Sequence, residues 1–327
     1  MIVKNIHPFN GQHCETTATG TLFNQLGIVF SEPMLFGLGE GLGYIVWNIK
    51  NMDIPFIGGR VKPDILTENL TRNLNLKMKV WETSSIPKAW NQVKEKLDQN
   101  ITVGLKLDCY HLEYFSRKFH FAAHYAAMYG YDSRWAYLVD THQQGGTVKT
   151  SLESLALARN EKGPMSSRNR MYTVSKDEKY CEPEKAVLPA MKRNAAEYLN
   201  PPIQNIGYKG IAKTASEIKK WFCNERMAPE FSTLALLMEE AGTGGALFRN
   251  LYRDFIKESY AMLEIKELKT VYKHFCDIAE LWTNVSSLFD EAGKSGNVQY
   301  INEASDILQK LASMEKDAMS GILSLEN

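Results

Sequence analysis

The sequence has no surplus of charge of either sign. Its 327 residues include 38 basic and 38 acidic side chains, which give a formal net charge of zero at pH 7. Proteins that electrostatics holds on nucleic acids or anionic membranes carry clustered Lys and Arg. We therefore predict that neither a nucleic acid nor a membrane is a partner.

Long apolar runs are also absent. No stretch approaches the roughly 18 consecutive apolar residues of a membrane span. The opening MIVKNIHPFNGQHC contains no apolar block of the kind found in secretory signals. These features predict a cytoplasmic protein.

Motifs for metals and cofactors are missing as well. Five cysteines, an odd number, are scattered at positions 14, 109, 181, 223 and 276 without a CxxC pair, so neither a disulfide framework nor a zinc knuckle is indicated. No GxxxxGK[ST] run marks a nucleotide site. The glycine-rich FGLGEGLGY lacks the strand, GxGxxG and helix order of a dinucleotide site and is interpreted as a tight wall of a cleft. We expect no metal and no cofactor bound to the chain itself.

Up to residue 157 the sequence predicts mixed helix and strand. Short aromatic or β-branched runs bounded by Gly, Asp or Asn are typical of strands, and here they are YIVWNI (44–49), TVGLKLD (102–108), HYAAMYGYD (124–132) and WAYLVD (135–140). A compact polar connection joins the last two, which predicts a hairpin. Helices are predicted from Cys14 to Gly27 and over 88–100.

Beyond residue 157 the pattern changes. Residues 158–207 are polar and punctuated by Pro and Gly, and we interpret them as a linker or a partly ordered excursion. From residue 208 to 327 apolar residues recur at helical spacing. The sequence thus predicts an α+β protein with a catalytic domain over 1–157 and a helical domain over 208–327.

Cys14 is the first candidate for chemistry. It falls in the first turn of a predicted helix, where unpaired N–H groups and the positive end of the helix dipole stabilise a thiolate. The alternative is that a free cysteine is usually a small buried apolar residue. A nucleophile requires a base and a carboxylate that orients the base.

His124 and Asp140 are candidates for that pair. His124 opens one strand of the predicted hairpin and Asp140 ends the other, so the open end of the hairpin brings imidazole and carboxylate together. The alternative is a strand-end histidine with an unrelated surface aspartate. His120 and His13 are weaker candidates for the base.

Asp108, Cys109 and His111 form a second cluster of chemically active residue types. We expect an extended segment here, in which no helix terminus lowers the pKa of the Cys109 thiol. We interpret this cluster as a strand end or a wall of the substrate cleft.

Two stretches resemble a known family. HCETTATGTLFNQLGIVFSEPMLFGLGEGLGYIVW, which begins at His13, and GTGGALFRNLYRDFIKES, over 242–259, resemble the two modules of the butirosin-biosynthesis acyltransferases. The order Cys14, His124 and Asp140 is also similar to that of the papain-like peptidases attached to bacteriocin exporters. The resemblance implies a papain-like catalytic domain in which Cys14 is the nucleophile, His124 the base and Asp140 its orienting carboxylate.

The resemblance also implies a reaction. Such an acyltransferase moves an acyl group from the phosphopantetheine arm of an acyl carrier protein to a small amine acceptor, in the biosynthesis of an antibiotic. The phosphopantetheine then belongs to the carrier protein, and no nucleotide is needed because amide formation from a thioester is downhill. Two alternatives stay open: a papain-like hydrolase, either peptidase or thioesterase, and an inactive module that binds a natural product.

The oxyanion donors are a separate prediction. The related peptidases carry a glutamine several residues before the cysteine, whereas Pro8 stands six residues before Cys14 here, and the nearest glutamine is Gln12. We expect the backbone N–H of Cys14 and the amide of Gln12 to stabilise the oxyanion.

A further set of residues is expected to contact substrate. For the members of this set that lie in the helical domain, the alternative is that their charges are simply solvated, as most charges on amphipathic helices are. The set is Glu40, Arg249, Tyr252 and Asp254.

Overall fold

The structure is a computed structural model that describes residues 1–49, 52–163, 165–222 and 227–326. Its α-helices are, in chain order, α1 (Cys14–Gln25), α2 (Glu32–Leu38), α3 (Ile65–Asn73), α4 (Ile86–Asp98), α5 (Leu152–Asn160), α6 (Pro183–Leu199), α7 (Gly207–Trp221), α8 (Ala228–Glu240), α9 (Arg249–Leu263), α10 (Lys266–Ser295) and α11 (Val298–Leu323). Its strands are β1 (Leu42–Trp47), β2 (Phe56–Arg60), β3 (Lys77–Trp81), β4 (Val103–Leu107), β5 (His124–Tyr131), β6 (Trp135–Val139), β7 (Thr147–Ser151) and β8 (Met171–Ser175). Cys223, one of the five cysteines, lies outside the described residues.

The chain is divided by its contacts into two compact units. The first unit consists of Met1–Leu35 and Pro63–Cys181, and the second of Phe36–Lys62 and Glu182–Asn327. The segment 36–62 therefore belongs to the mainly helical unit, whereas the boundaries expected from sequence put it with the catalytic domain. Among the described residues, no helix combines the length and the apolar character needed to cross a membrane.

An antiparallel six-stranded sheet forms the centre of the first unit. Its strand order is β3-β8-β4-β5-β6-β7. Every residue of β4 is buried, as expected for a central strand that is covered on both faces. On one face, Leu105 of β4 shares an apolar core with Val93 of α4 and Leu155 of α5.

The other face of this sheet supports α1. The ring of Tyr172 in β8 lies over Gly104 of β4, where an added Cβ would come within 2.1 Å of it. The Tyr172 hydroxyl forms a hydrogen bond of 3.0 Å with Thr19 of α1. Glycine at position 104 therefore allows the tyrosine to connect α1 to the sheet.

The β5–β6 hairpin fixes the geometry of one edge of the site. Ala127 pairs with Val139 and Met128 with Leu138. Continuing this register by one residue places Asp140 opposite Ala126, which makes His124 its diagonal neighbour on the same face. The predicted hairpin is confirmed.

The second unit contains one two-stranded antiparallel sheet, β1-β2, and is otherwise helical over its described residues. The long helices α10 and α11 pack against each other, and α8 and α7 pack on their outer sides. Tyr44 of β1 is buried in this unit, where its hydroxyl bonds to Thr214 at 2.6 Å and its ring lies 5.7 Å from that of Trp282. Burial of the Tyr44 ring beside Trp282 is a hydrophobic contact that stabilises the packing of the small sheet on the helices.

The α+β class predicted from sequence is confirmed, whereas the linker over 158–207 is not what the structure shows. Residues 171–175 form β8 inside the sheet, and Pro183–Leu199 form a helix of 17 residues. Pro183 suits a first helical turn because the missing N–H has no partner there anyway. The run MYTVS, which forms β8, is too short to indicate a strand by its own pattern. It is stabilised by pairing with β3 and β4, which are distant in sequence.

Candidate active site

Cys14 is the first residue of α1. His13 is extended and precedes the helix, and its carbonyl accepts the first helical hydrogen bond, from Thr17 N–H at 2.9 Å. The Cys14 side chain is partly exposed. The thiol thus combines access from solvent with a position at the positive end of a helix dipole.

A carboxylate from α2 holds the start of this helix. Glu32 accepts hydrogen bonds from the Gln12 N–H at 2.9 Å, the His13 N–H at 2.8 Å and the Thr16 hydroxyl at 2.7 Å. Burial raises the pKa of Glu32, and these hydrogen bonds offset only part of the rise. Glu32 therefore fixes the segment before Cys14, a role that the sequence analysis did not identify.

His124 and Asp140 are in direct contact. The Nε2 atom of His124 lies 2.7 Å from Oδ2 of Asp140, and the aspartate is 0% exposed. Asp140 also accepts a hydrogen bond from the Tyr114 hydroxyl at 2.7 Å and one from the Thr141 N–H at 2.6 Å. Several donors thus fix the carboxylate that orients the imidazole.

The charge state of His124 follows from this environment. Burial lowers the pKa of His124, but the negative charge of Asp140 and the interaction with Cys109 outweigh burial and raise it well above its ordinary value. The imidazolium form is therefore favoured in the resting site. An imidazolium near a thiol is the arrangement that stabilises a cysteine thiolate.

Cys109 is a second thiol in the same cluster. It is 1% exposed, it hydrogen-bonds to His124, and it interacts electrostatically with Cys14. Burial raises the pKa of the Cys109 thiol, and His124 offsets only part of that rise. Cys109 is therefore the buried thiol of the cluster, whereas Cys14 is the accessible one.

The expectation of an extended segment at Cys109 is wrong. Residues Cys109–His111 form a 3-10 turn, and the carboxylate of Asp108 caps it by accepting the Tyr110 N–H at 2.8 Å. The turn brings Cys109 back to the open end of β5. Leu107 pairs with His124 in the β4–β5 ladder, a contact between distant residues for which the sequence gives no signal.

Gln12 is exposed, and its backbone N–H is already bonded to Glu32. Only its side-chain amide is left to act as an oxyanion donor.

Glu40, the first of the expected substrate contacts, is fully buried in the second unit. Its carboxylate forms an ion pair with Arg193 at 2.8 Å.

The other expected substrate contacts also lie in the second unit. Arg249 is fully buried and forms two parallel hydrogen bonds to Glu315, at 2.8 and 2.9 Å. Tyr252 is buried as well. Asp254 pairs with Arg253 at 2.8 Å and keeps 38% of its side chain exposed. The structure brings none of these residues together with Asp140 within one unit.

Two families match the chain. The family described as butirosin biosynthesis protein H, N-terminal, matches residues 13–141, a range that contains Cys14, His124 and Asp140. A family described as a domain of unknown function (DUF4872) matches residues 153–322, which is more than half of the chain. No individual curated protein gives a significant match. The first match implies an enzyme of antibiotic biosynthesis with an acyltransferase-like role, carried by residues 13–141, and the chain as a whole belongs to the family of the domain of unknown function DUF4872.

Proposed function

We propose that this protein is a papain-like cysteine acyltransferase that moves an acyl group from an acyl-carrier-protein thioester to a small amine acceptor. The observation that carries the proposal is the buried His124–Asp140 pair, which lies in one cluster with the partly exposed thiol at the start of α1. A nucleophile, a base and an orienting carboxylate are the minimum set for covalent acyl transfer.

In the first half of the reaction, the Cys14 thiolate attacks the carbonyl carbon of the carrier thioester. The tetrahedral intermediate collapses, the bond from carbon to the phosphopantetheine sulfur breaks, and the imidazolium of His124 gives its proton to the departing thiolate. The products are a Cys14 thioester, a free carrier thiol and neutral His124.

In the second half, the acceptor amine attacks the Cys14 thioester. Neutral His124 takes one proton from the attacking nitrogen, and the bond from carbon to the Cys14 sulfur then breaks. The amide leaves, the thiolate is regenerated beside the imidazolium, and no nucleotide is consumed. Asp140 does not change its protonation in either half, since its task is to hold the ring and stabilise its charge.

The choice of Cys14 over Cys109 rests on access. A carrier protein must deliver its thioester to the attacking sulfur, and a side chain that is 1% exposed offers no such approach. In this proposal Cys109 packs against His124 and helps to set its position. The oxyanion is stabilised by the N–H of Cys14 together with the side-chain amide of Gln12.

The residues expected to contact the amine acceptor differ in how accessible they are. Glu40 and Arg249 are engaged in ion pairs and Tyr252 is buried, whereas Asp254, although paired with Arg253, keeps 38% of its side chain exposed. The cytoplasmic location predicted from sequence remains part of the proposal.

A loading experiment tests the proposal. The full chain is incubated with acyl and aminoacyl thioesters of N-acetylcysteamine, which mimic the end of the phosphopantetheine arm, and intact mass is recorded. We expect a single adduct that maps to Cys14 and is absent from Cys14→Ala but present in the matched control Cys276→Ala.

The fate of the adduct separates the alternatives. Release by added amines, faster than by water, supports the transferase. Release by water alone identifies a hydrolase, and the absence of any adduct across the thioester panel points to a binding module. An adduct that maps to Cys109 instead overturns the assignment of the nucleophile.

A further inference from the structure

A second cluster of potential ligands lies outside the proposed acyl-transfer residues. Asp108, His111 and His120 each offer one possible ligand atom, and these atoms all lie within 4.8 Å of one another. Asp108 is buried, His111 is half-buried and His120 is exposed. A buried carboxylate that faces two imidazoles is a donor set suited to a divalent transition metal.

The distances are close to those of a bound ion. Nδ1 of His120 lies 3.3 Å from Oδ1 of Asp108. Two ligands at about 2.0–2.1 Å from a tetrahedral zinc ion are separated by roughly 3.4 Å, which follows from the bond lengths and the tetrahedral angle. His120 and Asp108 already have this separation, so only His111 needs to move closer.

The carboxylate of Glu161 supports His111 from the other side. Its Oε2 atom lies 2.6 Å from Nε2 of His111. If Nε2 carries the proton, Nδ1 is left with a free lone pair. A histidine that binds metal through one nitrogen and donates its other N–H to a carboxylate is the usual arrangement in protein metal sites.

Tyr110 orients both rings. Its own ring stacks on that of His120, with centroids 4.2 Å apart and planes inclined by 13°. It also meets the ring of His111 edge-on at 5.3 Å. The two imidazoles are therefore held in defined orientations although one of them is exposed.

From this arrangement we propose that Asp108, His111 and His120 bind a Zn²⁺-type divalent transition metal ion, with Glu161 as the hydrogen-bond partner of His111. Because 58% of the His120 side chain is exposed, the fourth position of the ion is open to solvent. Imidazole ligands favour zinc, cobalt and nickel over magnesium and calcium, which prefer oxygen.

The ion has a structural consequence. It connects the 3-10 turn Cys109–His111 to residue 120, which precedes the first residue of β5 by four positions. The loop between them is thereby closed by a cross-link, which stabilises the folded chain in proportion to the occupancy of the site. This proposal does not depend on acyl transfer.

The test measures binding of Zn²⁺ and Co²⁺ to the full chain after chelator treatment, by calorimetry and by Co²⁺ absorption. We expect one ion per chain, a raised melting temperature with Zn²⁺, and no response to Mg²⁺ or Ca²⁺. His111→Ala and His120→Ala should lose at least tenfold in affinity, and Glu161→Gln should lose about ten- to a hundredfold. The matched control, His7→Ala, removes an exposed histidine elsewhere in the same unit and should bind normally.

The two thiols near His124 are the rival binding site, and the experiment separates the two sites. Cobalt bound to thiolate shows an intense ligand-to-metal charge-transfer band, whereas cobalt bound to imidazole and carboxylate does not. A Co²⁺ spectrum without that band, unchanged in Cys14→Ser, supports the proposal. Stoichiometric binding that survives His120→Ala, a thiolate band in the wild-type spectrum, or no binding at all overturns it.

Discussion

Among the described residues, a buried pair of charged side chains lies in each unit, and the two pairs differ in what surrounds them. In the second unit, Arg249 and Glu315 are both 0% exposed, and Glu315 also accepts hydrogen bonds from Trp282 and Tyr198. In the first unit, His124 is 6% and Asp140 0% exposed, and this pair contacts the Cys109 thiol and lies near that of Cys14.

This difference shows why burial of a charge does not by itself mark a functional site. The Arg249–Glu315 pair has its hydrogen-bonding groups satisfied by neighbours, and none of the hydrogen-bond partners described for it is a cysteine. The His124–Asp140 pair lies near a partly exposed thiol, that of Cys14, and in our proposal it gains and loses a proton. A structural pair is expected to affect stability when broken, whereas a catalytic pair is expected to affect turnover.

The largest expected effect comes from removing the nucleophile. Cys14→Ala should lower turnover by at least about a thousandfold, because no other accessible group in the cluster forms the acyl-enzyme. Its melting temperature should remain close to that of the wild type, since one small side chain replaces another. The assay is amide formation from a carrier thioester, with circular dichroism as the check of folding.

Cys109→Ala is the matched comparison for that variant. It should retain turnover within about tenfold, because the buried thiol only packs beside His124 in our proposal. If Cys109→Ala were inactive and Cys14→Ala active, the roles of the two thiols would have to be exchanged.

Breaking the catalytic pair should have the next largest effect. His124→Ala should lower turnover by about 10²–10⁴-fold, because it removes the group that transfers the proton. Asp140→Asn should cost no more than this, since the carboxylate acts through the ring. The values of kcat for both variants decide the point, and His120→Ala should leave kcat nearly unchanged. A greater loss in Asp140→Asn than in His124→Ala would contradict the assignment of the base.

Breaking the structural pair should affect stability instead. Arg249→Ala leaves Glu315 buried without its counter-charge, and we expect a loss of about 3–5 kcal/mol in the free energy of unfolding. Urea denaturation measures it. Arg253→Ala, which breaks the half-exposed pair with Asp254, is the matched control and should cost no more than about 1 kcal/mol. Equal losses of unfolding free energy in Arg249→Ala and Arg253→Ala would show that burial of the Arg249–Glu315 pair does not increase the cost of breaking it.

The pH dependence of stability should distinguish the pairs further. Because the pKa of His124 is raised in the folded state, its contribution is present in full below the ordinary histidine pKa of about 6.5. The contribution is lost as the pH rises through the raised folded-state value. Denaturation of the wild type and of Asp140→Asn at several pH values should therefore give a difference that shrinks at alkaline pH. A difference that stays constant would mean that the charge of Asp140 does not stabilise the imidazolium.

The sequence was most informative where the chemistry depends on local geometry. A hairpin that starts at His124 and ends beside Asp140 can be recognised from alternation and a short turn, and the register then brings the two side chains together. The start of α1 at Cys14 is equally local. The α+β division follows from periodicity, which changes from strand to helix along the chain.

Features that depend on distant contacts were not predictable in the same way. Cys109 reaches His124 only because a 3-10 turn follows β4, and an isolated sequence run does not distinguish such a turn from an extended end. Arg249 looked like a solvated or ligand-binding charge because its partner Glu315 lies 66 positions away. β8 was missed because a short strand is stabilised by its neighbours in the sheet rather than by its own pattern.

The smallest expected effect sharpens the comparison within the first unit, since Tyr114 supports the catalytic pair without reacting. Its hydroxyl donates to Oδ2 of Asp140, the same oxygen that faces His124. Tyr114→Phe should lower kcat by about five- to tenfold with KM unchanged, because only part of the about 1.5–3 kcal/mol that a hydrogen bond to a charged group contributes is lost while the remaining donors keep the carboxylate in place. Steady-state kinetics measure kcat and KM separately.

Tyr137→Phe is the matched control for Tyr114→Phe. The Tyr137 hydroxyl donates to the exposed Asp132 at 2.6 Å, and its removal should change neither kcat nor KM. A Tyr114→Phe enzyme that is unchanged in kcat but less stable would assign this tyrosine to packing, alongside the residues that surround Arg249.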